Sequence, residues 1–149
     1  MIKDRIKILK SYFSKLNIDG YIIPKNDEFF SEYSEKDRLK TISNFSGSAG
    51  YAIILKNRNY LFVDGRYTIQ AQIESGKYFR IVQYGKIVNC KLFKNLKLGI
   101  DPKLFTSSQV KKFFSKYNSV KKIKINLIDK IFNNYSMSKK SFFSIKDKI

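Results

Sequence analysis

The stretch FSGSAGYAIILKNRNYLFVDGRY, residues 45–67, decides the fold. It contains two strand-like apolar runs, Tyr51–Lys56 and Asn59–Val63. The pair Asn57-Arg58 between them predicts a β-hairpin. Glycine and other small residues at Ser46–Gly50 predict a tight loop that leads into the first strand.

A helix is expected directly after this hairpin. Asp64-Gly65 ends the second strand, because both residue types favour turns and Asp64 can cap a helix. The following segment, Arg66–Ser75, is predicted as a helix that turns Ile69 and Ile73 inward and ends before Gly76.

The flanking sequence alternates strands with helices. Residues 2–16 fit an amphipathic helix, because apolar side chains recur every three to four residues with lysines off that line. Further strands are expected at Gly20–Pro24, Phe79–Tyr84, Lys97–Ile100 and Val120–Ile125. Short helices are expected over Asp37–Phe45 and from Thr106 or Ser107 through Tyr117. The segment Ile87–Phe93 fits either a short helix or a strand, and the helix is favoured. This alternation around one hairpin predicts an α/β fold, a mixed sheet with helices on both faces.

Length and composition predict one folded domain. The chain has 149 residues, of which 43% are hydrophobic, enough for a single buried core. We assign residues 1–132 to the domain and residues 133–149, rich in Ser, Asn and Lys, to a linker or the start of a truncated second domain. The longest apolar runs are strand-sized, so no membrane span is expected. A lone cysteine, Cys90, excludes an internal disulfide and favours a cytoplasmic location.

The formal net charge of +18 has two interpretations. Nucleic-acid binding is one, because clustered Lys and Arg neutralise phosphates. A codon bias toward AT-rich codons is the other. Lys outnumbers Arg 25 to 5, although Arg is the better bidentate phosphate ligand, and the basic residues are spread along the chain. The codon interpretation is favoured, and no nucleic-acid partner is expected.

The residues exclude several kinds of catalytic site. The chain has no histidine, which excludes Ser-His-Asp and Cys-His triads and histidine zinc sites. Its 12 acidic residues show no pattern that a paired-carboxylate metal site needs. The SGSAG loop lacks the lysine of a phosphate-binding loop. We therefore expect no catalytic residue, no metal ligand and no cofactor in this chain.

Two groups of residues remain as candidate functional residues. Gly47, Ser48 and Gly50 form a loop that either is only a turn into a strand or borders a cleft. Asp64 and Arg66 belong to a strand-to-helix junction, DGRY. A cation in the first turn of a helix opposes the helix dipole, so Arg66 is expected to hold Asp64, Glu74 or a carboxylate elsewhere, either in a structural ion pair or in a ligand.

Several segments follow one another in a recognisable order. They are GYIIP at Gly20–Pro24, Asp27-Glu28, Ser31-Glu32-Tyr33, Arg38-Leu39, Ile42–Gly50, Ala52–Leu55, Leu61–Tyr67, Gln70-Ala71, Gly99–Pro102 and Asn126–Phe132. Together they resemble the N-terminal domain of Xaa-Pro aminopeptidases of the creatinase/prolidase type, over roughly residues 2–132. One departure is the pair Phe29 and Phe30, where family members often have histidine and glutamine.

The resemblance implies a three-layer α/β/α sandwich with a mixed sheet, related in topology to ribonuclease H-like folds. In the family, a C-terminal pita-bread domain holds two metal ions, usually manganese, and removes an N-terminal residue that precedes proline. The N-terminal domain limits access to the active site and contributes to subunit association. This chain alone is therefore expected to be inactive.

The resemblance also implies partners. They are the catalytic pita-bread domain of the same polypeptide or a full-length homologue, and a second copy in a homodimer. The residues expected to face the cleft or an adjoining domain are Asp64, Arg66, Tyr67, Gly47, Ser48 and Gly50. Two alternatives stay open: a stand-alone basic module that binds RNA or another polyanion, and a regulatory partner of a full-length peptidase.

Overall fold

A computed structural model of the protein describes residues 1–31, 36–84, 94–113 and 117–132. In this part of the chain, the strands are β1 Gly20–Pro24, β2 Gly50–Leu55, β3 Asn59–Val63, β4 Arg80–Gln83, β5 Lys97–Ile100 and β6 Ser119–Lys122. They form one sheet in the order β4-β3-β2-β1-β5-β6. β2 is antiparallel to both of its neighbours, and the other pairs are parallel. The predicted mixed sheet is confirmed.

The helices are α1 Ile2–Ser11, α2 Phe13–Leu16, α3 Arg38–Ser43, α4 Thr68–Ser75, α5 Ser107–Phe113 and α6 Leu127–Ile131. Short 3₁₀ turns at Gly65–Tyr67 and Pro102–Leu104 follow β3 and β5. The helix predicted over residues 2–16 is interrupted at Tyr12, between α1 and α2. α5 begins with a reciprocal cap, in which Thr106 and Gln109 each accept a hydrogen bond from the other's backbone N–H.

The core lies on both faces of the sheet. One face packs Tyr21, Ile23 and Ile54 against α1, α3, α4 and α6. The other face buries Ile22 and Ile53, and Phe105 of the loop before α5 and Val110 of α5 pack against this face. Because side chains alternate along a strand, the largely apolar strands β1 to β3 fill both layers, and the three-layer α/β/α arrangement is confirmed.

The predicted hairpin is present, with its turn one residue earlier than expected. Leu55 donates its backbone N–H to the carbonyl of Arg58 at 2.8 Å, so the two central residues of the turn are Lys56 and Asn57. β2 accordingly ends at Leu55 and not at Lys56. The register then pairs Gly50 with Val63 at the far end of the hairpin.

The inward orientation predicted for Ile69 and Ile73 is wrong. These side chains are 77% and 81% exposed, whereas Ala71 and Ser75 face the core. Both pairs are spaced four residues apart, so periodicity alone does not choose between them. The choice is made by close packing, because Ser75 donates its hydroxyl to the buried carbonyl of Ser43 at 2.7 Å, and only small side chains allow that approach.

Other segments differ in smaller ways or lie outside the described residues. The strand predicted at Val120–Ile125 is Ser119–Lys122, and after it the backbone N–H of Ile123 still binds the carbonyl of Ile100 at 2.8 Å. The short helix predicted at Ile87–Phe93, and Cys90 within it, lie outside the described residues, as does the predicted linker at residues 133–149. Within the described ranges, no helix is both long and apolar enough to cross a membrane.

Candidate functional site at the carboxyl edge of the sheet

The topology brings the two predicted groups of candidate residues to one edge of the sheet. Five of the strands end at this edge, and β2 begins there. Because Gly50 pairs with Val63, the loop before β2 lies beside the DGRY junction after β3. The backbone N–H of Lys25, at the end of β1, binds the carbonyl of Gly50 at 2.9 Å. In open α/β sheets this carboxyl edge is the usual place for a binding crevice.

The loop at residues 45–50 is fixed by a buried aromatic ring. Phe45 is fully buried. A Cβ atom added to Gly47 would come within 2.2 Å of the Phe45 ring, and one added to Gly50 would lie 3.0 Å from the carbonyl oxygen of Phe62. Neither glycine has a positive φ. The glycines therefore serve close packing and not a left-handed backbone conformation.

Ser48 and Tyr67 join the loop to the DGRY junction. Their hydroxyl groups lie 2.6 Å apart in a hydrogen bond, and the Tyr67 ring meets the edge of Phe45 at a centroid distance of 6.1 Å. Both side chains are half-buried. The two motifs thus form one surface, with a polar contact between two hydroxyl groups and an aromatic contact beneath it.

Arg66 projects from this surface into solvent. Its Nε atom donates to Asp64 at 3.1 Å, its guanidinium lies 5.5 Å from the Tyr67 ring centroid, and its side chain is 76% exposed. The backbone N–H of Arg66 and then its side chain hold the pKa of Asp64 below its ordinary value. Of the carboxylates that the sequence offered to Arg66, the structure selects Asp64 and not Glu74.

Glu74 belongs to a polar network that the sequence analysis missed. The backbone N–H and the hydroxyl of Ser46 donate to its carboxylate at 2.8 and 2.5 Å, and Gln70 donates to it at 3.2 Å. Burial raises the pKa of Glu74, but these hydrogen bonds and the charge of Lys40 outweigh it, and the pKa lies below its ordinary value. The signal in the sequence was the spacing of Gln70 and Glu74, which places them on one helix face.

The sequence analysis also missed Arg38, whose buried side chain joins the loop after β1 to α6. It is 1% exposed, binds both carboxylate oxygens of Asp129 at 2.8 and 2.7 Å, and also donates to Glu28 at 2.8 Å. Glu28 belongs to the loop that follows β1, and Asp129 belongs to α6. A second ion pair, Lys25 with Asp37, holds the start of α3 against the end of β1. The available signal in the sequence was one of only five arginines in a lysine-rich chain, since arginine is preferred for bidentate pairs.

The chemistry that this edge can perform is recognition. Hydroxyl groups, an exposed guanidinium and aromatic edges suit hydrogen bonding to a carboxylate or a carbonyl group. Among the described residues, no group of three or more histidine, cysteine or acidic side chains is placed to hold a metal ion. In the part of the chain that the structure describes, the hydroxyl partner of Ser48 is Tyr67 and not a histidine or a carboxylate that would activate a nucleophile.

The family model described as the Creatinase/Prolidase N-terminal domain matches residues 5–131. A probable Xaa-Pro aminopeptidase P from Laccaria bicolor is 32% identical over 140 residues, which cover 85% of this chain and 22% of the relative. Aminopeptidase P2 of Arabidopsis thaliana is 29% identical and covers 90% of this chain and 21% of its own length. The chain therefore spans about a fifth of the length of these curated relatives.

Solved structures share the fold. The X-prolyl aminopeptidase from Caenorhabditis elegans, described as a cytosolic enzyme with a di-nuclear active site, superposes with a TM-score of 0.77 at 24% identity. It covers 90% of this chain and 26% of its own. The N-terminal domain of the cytoplasmic peptidase PepQ from Mycobacterium tuberculosis has a TM-score of 0.64 at 17% identity, with 86% of this chain and 98% of that one covered.

Proposed function

Because the chain belongs to the creatinase/prolidase N-terminal domain family, we propose that it acts as the non-catalytic N-terminal domain of a Xaa-Pro aminopeptidase. Such an enzyme removes the N-terminal residue that precedes a proline. The observation that carries the proposal is the match over residues 5–131 to a domain family, together with curated relatives about five times longer than the matched part.

We assign catalysis to another part of the enzyme. The family's two metal ions, usually manganese, require several carboxylate and histidine ligands in one place. This chain has no histidine, and its described part contains no cluster of three potential ligands. The residues present do not fit the metal pair, so no hydrolytic step is assigned to this chain.

The proposed role of this domain is to form one wall of the substrate cleft and to contribute to subunit association. Support comes from the fixed surface at the carboxyl edge, where Ser48 and Tyr67 are bonded to each other and Arg66 remains 76% exposed. An exposed guanidinium held by Asp64 can bind the terminal carboxylate of a short peptide or a carboxylate of an adjoining domain. A cytosolic location is part of the proposal and is supported by the description of the nematode relative.

A domain-transfer experiment tests this proposal. The chain is fused to the nematode X-prolyl aminopeptidase in place of its matching quarter, and hydrolysis of a Xaa-Pro peptide is measured with manganese. The isolated chain and the nematode enzyme without that quarter are assayed beside it. We expect no turnover by the isolated chain and higher kcat/KM for the fusion than for the shortened enzyme.

The same assay tests the assignment of Arg66. In the fusion, Arg66→Ala is expected to raise KM several-fold, because loss of a charge-assisted contact weakens binding by roughly 1–2 kcal/mol, while kcat stays similar. Turnover by the pure chain, or a fusion no more active than the shortened enzyme, would refute the proposed function.

A further inference from the structure

A basic groove lies at the edge of the sheet opposite the candidate site. Two adjoining concavities, of about 410 and 610 Å³, share the hairpin residues Asn57 and Arg58. The side chains lining them include five cations, Lys56, Arg58, Lys77, Arg80 and Lys94, and one carboxylate, Asp19. This carboxylate is already engaged, because it binds Lys56 at 3.4 Å and the backbone N–H of Lys97 at 2.8 Å.

The distribution of arginine distinguishes this groove from a general excess of positive charge. Codon bias explains abundant lysine, but arginine occurs only five times. Arg5 binds a backbone carbonyl, Arg38 is buried against two carboxylates, and Arg66 pairs with a third. The other two, Arg58 and Arg80, both lie exposed in the groove, and no carboxylate in the described part of the chain pairs with either.

The two arginines are placed to act together. Arg58 lies directly before β3, which begins at Asn59, and Arg80 is the first residue of β4, the parallel neighbour of β3. Both arginines line the same concavity. Two guanidinium groups in one concavity can each bind a carboxylate of the same extended peptide.

The aromatic residues of the groove favour a peptide over a nucleic acid. Single-stranded nucleic acids bind by stacking bases on open aromatic faces. Among the described lining residues, Tyr60 and Phe79 are only 1% and 4% exposed, and the Nζ atom of Lys77 lies 5.5 Å from the Tyr78 ring centroid. Among the described lining residues, the groove therefore offers two forked donors, whereas two of its three aromatic rings are buried and the third, Tyr78, is half-buried.

We propose that this groove, at the amino edge of the sheet, binds an acidic peptide segment of a partner protein through Arg58 and Arg80. The site is separate from the proposed cleft wall and does not depend on the proposed function. Arginine forks bind carboxylates through two parallel hydrogen bonds, and the lysines around them add charge that attracts an acidic chain.

The test compares two variants of equal charge. R58E/R80E changes the groove, and K3E/K7E makes the same change in charge on exposed positions of α1. Binding of a fluorescein-labelled hexadecaglutamate peptide is measured by anisotropy at 150 mM salt, with a 16-nucleotide oligouridine RNA as the competing probe. Far-UV circular dichroism verifies that both variants are folded, which is expected because all four side chains are exposed.

The expected result is at least tenfold weaker peptide binding by R58E/R80E and less than threefold weaker binding by K3E/K7E. The wild-type chain should also bind the peptide more tightly than the RNA. Equal losses in the two variants would show a general charge effect and overturn the proposal. Tighter binding of the RNA, or no measurable peptide binding by the wild type, would also overturn it.

Discussion

Replacing Arg38 by methionine tests the account of how the carboxyl edge is held in place. The side chain is 1% exposed and makes three charge-assisted hydrogen bonds, two to Asp129 and one to Glu28. Each such bond contributes about 1.5–3 kcal/mol. The carboxylates themselves are 30% and 36% exposed, so water can replace part of what they lose. Removing one partner of a buried ion pair costs about 3–5 kcal/mol, and we expect a loss near the lower end of that range, about 3–4 kcal/mol of unfolding free energy.

The assay is thermal and urea unfolding followed by circular dichroism. For a chain of this size, 3–4 kcal/mol corresponds to a fall in Tm of about 10 °C. Arg66→Met is the matched control, because it removes the same side chain from an exposed pair and should leave the Tm close to that of the wild type. A loss below about 1 kcal/mol for Arg38→Met, or equal losses for the two variants, would refute the structural role assigned to Arg38.

Three other predictions concern the edge and the adjoining helix. Tyr67→Phe should lower the free energy of unfolding by about 1 kcal/mol. A double-mutant cycle with Ser48→Ala, measured by urea unfolding, should show a coupling energy of about 0.5–1 kcal/mol. Additive losses in the two single variants would contradict the hydrogen bond between the two hydroxyl groups. Ile69→Lys should change the free energy of unfolding by less than about 0.5 kcal/mol, whereas Ile54→Ala should lower it by about 2–5 kcal/mol. Comparable losses in the two variants would contradict the exposed orientation of Ile69. Glu74→Gln should lower the Tm at pH 7, since the lowered pKa of Glu74 stabilises the fold above the unfolded-state value near 4.5. The Tm difference between Glu74→Gln and the wild type should shrink as the pH falls below about 4.5 and through the lower pKa of the folded state. A constant Tm difference from pH 7 to 3 would refute the stabilising role of the Glu74 carboxylate.

The sequence was most informative where the pattern is local. Alternate side chains of the two apolar runs in residues 45–67 are buried on opposite faces, and the hairpin needs only neighbouring residues to form. The strand Lys97–Ile100 was predicted with its observed bounds. Of the two residues predicted for the start of the next helix, the structure selects Thr106 as the cap, whose partner Gln109 lies three residues away. Each of these features depends on turn chemistry and side-chain period, which are readable in one short segment.

Long-range contacts could not be predicted in the same way. Arg38 and Asp129 are 91 residues apart in the chain, and nothing in either segment identifies the other as its partner. The orientation of α4 depended on a contact between Ser75 and Ser43, 32 residues apart. Periodicity allowed two faces for that helix, and tertiary packing selected the one with small side chains.

The two edges of the sheet differ in how their polar groups are held. At the carboxyl edge, the buried side chains of Arg38, Asp101 and Asn126 are fixed by hydrogen bonds, so the surface above them has a set shape. At the amino edge, Arg58 and Arg80 are exposed, and their substitution removes no buried contact. Changes of these buried side chains should therefore alter stability and the shape of the carboxyl edge together, whereas changes of Arg58 and Arg80 should alter binding alone. This separation makes the two proposed sites testable independently in one protein.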